Sequence, residues 1–167
     1  TAMDSDASHL LLRYGGNSNL DALFCHSPVT SLHAVRVEKA LHDGMHITAC
    51  EGDAVNLVAW ECGNRGLELG NGTYDILHAT VANCAGFGIE SLGAHSGMVL
   101  ASNSFGNTGG NYNGFAPGQI VNCNGDPASA GVDGNIDADP LFVDAANGNL
   151  NLSAGSPCLD GAEFLTS

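Results

Sequence analysis

Apolar and polar residues alternate along this chain in short bursts separated by turn residues. Residues 45–47, 67–69 and 89–91 read Met-His-Ile, Leu-Glu-Leu and Ile-Glu-Ser. An alternation of mostly period two turns one face of a short strand inward and leaves the other in water. A second alternating stretch precedes each of these, at Val35/Val37, Leu57/Ala59 and Ala79/Val81. The whole pattern recurs at an interval of 22 residues: Ala22-Leu23, Gly44-Met45, Gly66-Leu67 and Gly88-Ile89 each place a small residue before an apolar one. The columns Ala40/Cys62/Cys84 and Val37/Ala59/Val81 keep the same interval. Self-similarity of this length marks stacked repeats, each burying its apolar side only against the next. Two short strands and sharp turns per repeat close one coil. Coils stacked in register pair each strand with its own copy ~4.8 Å away in a parallel sheet. The expected fold is therefore all-β, a parallel β-helix of roughly five or six coils in a single domain.

The pattern also predicts where the repeat changes. Near 93–97 the register slips, and Val99/Ala101/Asn103/Phe105 is expected to continue the inner wall. The run Ser102-Asn103-Ser104-Phe105-Gly106-Asn107 has the form of a coil with an inward asparagine. Residues 109–118 read as a loop interrupting the stack of residues 1–118, and residues 119–167 as closing coils and tail, opening with a strand at 119–122. With 23 glycines and four Asn-Gly pairs the chain demands many tight turns, and long helices are excluded.

Eighteen acidic residues face four basic ones, for a net charge of −14, and every base lies before residue 66. Such a surface repels phosphate backbones, which excludes nucleic acid as a partner, and it repels polyanionic glycans unless a cation intervenes. No apolar run reaches the ~18–20 residues that span a bilayer, so no membrane insertion is expected. The six cysteines show no CxxC or Cys/His zinc spacing. Cys62 and Cys84 are expected to stack as small buried hydrophobes, and the alternative is a disulfide, of which Cys123 with Cys158 is the best-placed candidate.

The tail is more specific. Gly134-Asn135-Ile136-Asp137-Ala138-Asp139-Pro140-Leu141-Phe142, then Asn149-Leu150-Asn151-Leu152, then Gly155-Ser156-Pro157-Cys158-Leu159-Asp160-Gly161 resembles the C-terminal coils of pectate-lyase-like right-handed β-helix proteins. Leu12-Arg13-Tyr14-Gly15-Gly16 looks like a coil such proteins carry earlier. The resemblance implies a right-handed helix, an extracellular or cell-surface location, a bacterial source and carbohydrate as the ligand. The family's known active sites do not carry over: no base remains after Arg65 to serve a lyase, Asp139-Pro140 is followed by leucine, and the Gly-His-Gly of polygalacturonases is absent. Family members usually have more coils and an N-terminal cap, so self-association through an uncapped first coil is expected.

Glycan-active β-helices work on an outward sheet face, and the best outward row here is His46, Glu68 and Glu90, with Phe24 one step before it. Asp43 and Arg65 should stand beside that row. Two carboxylates, a histidine and an arginine could supply acid, base and charge stabilisation for polysaccharide cleavage. The same row could also contact a glycan without cleaving it, or be solvated surface. A second row is Lys39, Glu61 and Asn83, with Trp60 beside it as an expected sugar-stacking platform that Tyr74 and Tyr112 could join. Asn135, Asp137 and Asp139 alternate as oxygen donors of the type calcium uses, and would otherwise form Asx turns. No other cofactor is expected. Three functions follow: a carbohydrate-interacting extracellular module without catalysis, a polysaccharide lyase or glycoside hydrolase, and a structural spacer or adhesin-type stalk.

Overall fold

The 22-residue interval closes one turn of a parallel β-solenoid, and the molecule has about five turns. The structure is a computed structural model that describes residues 5–17, 19–26 and 30–159. In chain order the strands are β1 (Ser5–Arg13), β2 (Leu23–His26), β3 (Thr30–Glu38), β4 (Met45–Thr48), β5 (Ala54–Val55), β6 (Val58–Trp60), β7 (Leu67–Leu69) and β8 (Ile76–Leu77). They continue as β9 (Thr80–Ala82), β10 (Phe87–Ser91), β11 (Val99–Leu100), β12 (Asn103–Phe105), β13 (Gly110–Asn113), β14 (Ile120–Val121), β15 (Phe142–Asp144) and β16 (Asn149–Leu152). No helix among the described residues is long and apolar enough to cross a membrane.

One sheet runs β2-β4-β7-β10-β13. The other is a folded wall: the first half of β3 pairs with β5 and its second half with β6, and these lead into the ladders β5-β8-β11-β14 and β6-β9-β12. The fold between the two ladders is made by a residue in the left-handed region once per coil, at Ala34, Asn56, His78, Ala101 and Asn122, all with φ between 46° and 57°. A second corner repeats at Lys39, Glu61, Asn83 and Gly106. A non-glycine residue there is unusual and costs on the order of 1 kcal/mol. The coil holds it with hydrogen bonds to the next coil, as where Lys39 N donates to Trp60 O at 2.8 Å and Glu61 N to Ala82 O at 3.1 Å.

The third corner uses the glycine column for a different reason. A Cβ on Gly66 would lie 2.2 Å from Val81 Cγ1 and 2.8 Å from Gly88 O, and one on Gly44 would lie 2.6 Å from Gly66 O. These glycines are needed for the close approach of the next coil, not for positive φ.

Inside, like residues stack: Leu23, Met45, Leu67, Ile89 and Tyr112 in one column, Ala54, Ile76, Val99 and Ile120 in another. Cys62 and Cys84 are both buried in the core, as expected, and the column continues into Asn107, whose Oδ1 accepts from Cys84 N at 2.9 Å. That is the inward asparagine. Residues 103 and 105 do not continue the wall as expected. The left-handed Ala101 resets the alternation, and it is Ser104 that pairs with Val81 and is fully buried. Nor is 109–118 wholly a loop, since β13 joins the stack beside β10. No disulfide links the cysteines. Cys123 and Cys158 line one cavity of about 160 Å³ without bonding.

The tail packs against the coils in a way the repeat does not foretell. An antiparallel hairpin, β15 and β16 joined through a 3₁₀ turn at Ala145–Asn147, folds back over the outer face of β3 and β6. Arg36 Nη2 donates to Gly148 O at 2.5 Å and Trp60 Nε1 donates to Ala145 O at 3.0 Å.

Candidate functional site

The outward positions of the five-stranded sheet form one continuous row. Register pairs Phe24 with His46, His46 with Glu68, Glu68 with Glu90 and Glu90 with Asn113. The strands alternate, so Met45 and Ile47, Leu67 and Leu69 point inward and leave the row facing out. Asp21, Asp43 and Arg65 precede the glycine column, one per coil, and the backbone ladder stacks them: Ala22 N donates to Asp43 O and Gly44 N to Arg65 O, both at 2.9 Å.

Arg65 is the hub. Its Nη1 lies 3.2 Å from Asp43 Oδ2 and 2.9 Å from Glu68 Oε2, and its Nε donates to Glu90. Its backbone N also donates to Asp43 Oδ1 at 2.7 Å. Glu90, only 5% exposed, is held from its other side by Asn113 Nδ2 at 2.6 Å. Burial works against the charge on Arg65, but the hydrogen bond to Glu90 and the charges of Asp43, Glu90 and Glu68 outweigh it and raise its pKa further. Glu68 is pushed up from the usual carboxylate range, by burial first and then by a hydrogen bond with Asp43, against the opposing charges of His46 and Arg65.

The histidines sit at the other end. His46 places Nδ1 3.3 Å from Asp21 Oδ2 and Nε2 3.4 Å from Glu68 Oε1, and its ring meets Phe24 edge-on with centroids 4.8 Å apart. His42 places Nδ1 3.3 Å from Asp21 Oδ1 and 3.4 Å from Asp43 Oδ2. Phe24 itself is 59% exposed.

The structure therefore brings together His46, Glu68, Glu90, Arg65 and Asp43, and adds Asp21 and His42. Sequence reasoning passed over both additions. Asp21 was legible as the residue one 22-step before Asp43. His42 was not, because its partners come from two different coils.

The second expected row is displaced from this group. Lys39 and Glu61 occupy left-handed corners and pair at 3.4 Å, and Asn83 is the next corner in the column. Trp60 corrects the expectation of a stacking platform: it is 4% exposed, roofed by the tail hairpin and by Lys39, whose Nζ lies 4.8 Å from the ring centroid. Tyr74 and Tyr112 do not join it. Tyr74 is buried and donates its hydroxyl proton to Ile47 O at 2.6 Å, and Tyr112 turns inward with its hydroxyl 3.3 Å from Ser102 O and 3.2 Å from Asn124 O.

The oxygen-rich run in the tail does not converge on an ion through Asn135. That side chain is buried, accepts from Cys123 N at 2.9 Å and donates to Ile120 O at 2.7 Å. Asp139 caps Leu141 N at 2.9 Å in an Asx turn, and Asp137 is exposed. No family model, curated protein or solved structure matches the chain.

Proposed function

We propose that the chain is an extracellular carbohydrate-interacting module whose binding surface is the outward row of Phe24, His46, Glu68 and Asn113, with the buried Glu90 as its support, without catalysis of its own. The observation that carries this reading is the row's continuity. Five outward positions lie in register over roughly 19 Å at the ~4.8 Å strand spacing, with an exposed aromatic ring at one end. A sugar's apolar face stacks on an aromatic ring, and its hydroxyls need paired donors and acceptors beside it. The three carboxylates around Arg65, with Asp21 nearby, favour a neutral glycan over a polyanionic one.

One observation favours cleavage instead: the raised pKa of Glu68, with His46 beside it, suits a general acid. Its partner carboxylate tells against that. Glu90 is buried and tied by Arg65 and Asn113, so it cannot reach a substrate as base or nucleophile. A stalk without any ligand is favoured by no specific contact.

The finer assignment, a right-handed pectate-lyase-like solenoid, is part of the same proposal. It rests on the tail motif and on the strong right-handed preference of parallel crossovers. The extracellular location rests on the resemblance alone. Self-association is proposed through β1, a nine-residue strand that among the described residues pairs only with β3.

The test is a thermal-shift screen against soluble neutral and acidic polysaccharides. At 100 times its Kd a ligand adds about 2.7 kcal/mol. A neutral-glycan shift that Phe24→Ala weakens about tenfold in affinity, with no product released, supports the proposal. Sugar release abolished by Glu68→Gln would replace it with the hydrolase or lyase, and no shift with any glycan would overturn it.

A further inference from the structure

We propose that Asp21, His42 and Asp43 form a binding site for one divalent first-row transition ion, with zinc the best fit, at the Phe24 end of the outward row. The proposal does not rest on the glycan reading, because the same three side chains would bind the ion with no sugar present.

The first ground is donor geometry. One donor atom from each of the three residues lies within 4.8 Å of the others. His42 Nδ1 is 3.3 Å from Asp21 Oδ1 and 3.4 Å from Asp43 Oδ2. In a tetrahedral site with bonds of ~2.05 Å, ligand atoms stand about 3.3 Å apart. A charge-assisted N–H···O bond would instead draw them to roughly 2.7–2.9 Å. Both imidazole–carboxylate separations match the spacing of two ligands sharing an ion, and the one to Asp21 is also within hydrogen-bond reach.

Charge is the second ground. Asp43, Glu68 and Glu90 surround a single guanidinium, Asp21 joins them through His42 and His46, and Asp43 is only 1% exposed. Four carboxyl groups thus share one fixed cation beside a buried Asp43. A dication at Asp21 and Asp43 would offset part of that crowding. Arg65 then keeps Glu68 and Glu90 as partners while Asp43 Oδ2 turns to the ion.

The support beneath the ligands is the third. Asp43 Oδ1 is fixed by Arg65 N at 2.7 Å, and Asp21 Oδ2 faces His46 Nδ1 at 3.3 Å. Each carboxylate thus has one oxygen held by a neighbour and the other facing His42, with Asp43 Oδ2 also 3.2 Å from Arg65 Nη1. One imidazole with two carboxylates suits zinc, manganese or iron(II) better than calcium, which takes six to eight oxygens. Three protein ligands leave a position open to solvent, where a sugar hydroxyl or water would bind.

The experiment is calorimetric titration of zinc into the chelator-stripped full chain at pH 8, with a non-thiol reductant present. We expect one zinc per chain with a Kd tighter than about 10 µM. The double variant Asp21→Asn with His42→Gln should weaken it at least 100-fold, while His26→Gln, an exposed histidine nearby, leaves it unchanged. The cobalt complex of the unaltered chain gives a readout independent of variant folding. Visible d–d bands without thiolate charge transfer support the site. A thiolate band, an unaffected double variant or no binding at all overturns it.

Discussion

The two outer faces of the solenoid obey the same ladder rule and reach opposite ends. On the β2-β4-β7-β10-β13 sheet, the outward row meets solvent at Phe24 and carries a charged cluster around Arg65. On β3 and β6, the outward positions Arg36, Glu38 and Trp60 lie beneath the hairpin of β15 and β16, and Glu38 and Trp60 are buried. The comparison teaches that a row of outward residues becomes a surface or a second core according to what folds across it. Trp60, the chain's only tryptophan, serves as a peg for the tail, while Phe24 stays open on the other face.

The sharpest way to break the contrast is at the peg. Trp60→Ala should cost about 3–5 kcal/mol in denaturant unfolding and release the hairpin to protease. Arg65→Gln comes next. It strips the shared counter-ion from Glu90 and Asp43, and we expect a loss of about 2–3 kcal/mol, reduced from the fully buried case because Arg65 is part-exposed. Stability equal to the unaltered chain would mean that the cluster is held by something other than Arg65.

Gly148→Ala tests the seam between hairpin and sheet. Its φ is +79°, and a Cβ would approach Trp60 to 3.0 Å, so a cost of about 1–2 kcal/mol is expected in the melting curve.

A pH titration separates the faces further. Burial raises Glu38's pKa, but hydrogen bonds and charge from Arg36 and then Arg13 outweigh it and leave the value below the ordinary 4.5. A carboxyl with a depressed native pKa stabilises the fold above its unfolded value and loses that contribution as pH falls through the native one. Glu68, raised, acts with the opposite sign: its ionisation in the fold is disfavoured as pH climbs through the unfolded value. Stability below pH 4.5 should therefore fall less steeply in Glu38→Gln. Glu68→Gln should remove a loss on the alkaline side of that range.

The smallest effect is the most telling. Phe24→Ala should leave stability within about 0.5 kcal/mol, as for an exposed site, while weakening glycan binding. A large destabilisation would mean that Phe24 is structural after all.

Much of this was readable before the structure. Gly44, Gly66 and Gly88 announced the coil, and Met45, Leu67 and Ile89 its inner wall, because a solenoid repeats one local environment at one interval. Arg65 beside Asp43 followed from the same register. Ala34, Lys39 and Glu61 gave no warning of their left-handed corners, since none is a residue type that favours that conformation and only the flanking ladders hold it. Ala101 escaped for the same reason and carried the register of Asn103 and Phe105 with it.

The amino-acid sequence by itself determined the period, the stacking of like residues and which side chains share a column, because each follows from local alternation repeated once per coil. What lies over a column was decided only by the tertiary structure. Trp60 is roofed by residues 85 positions away, through the bond to Ala145. His42 meets Asp21 across one coil boundary, where neither alternation nor period says which way an imidazole turns. Burial of a long-range contact depends on where a non-repeating segment finds its lowest free energy, and the repeat holds no record of that.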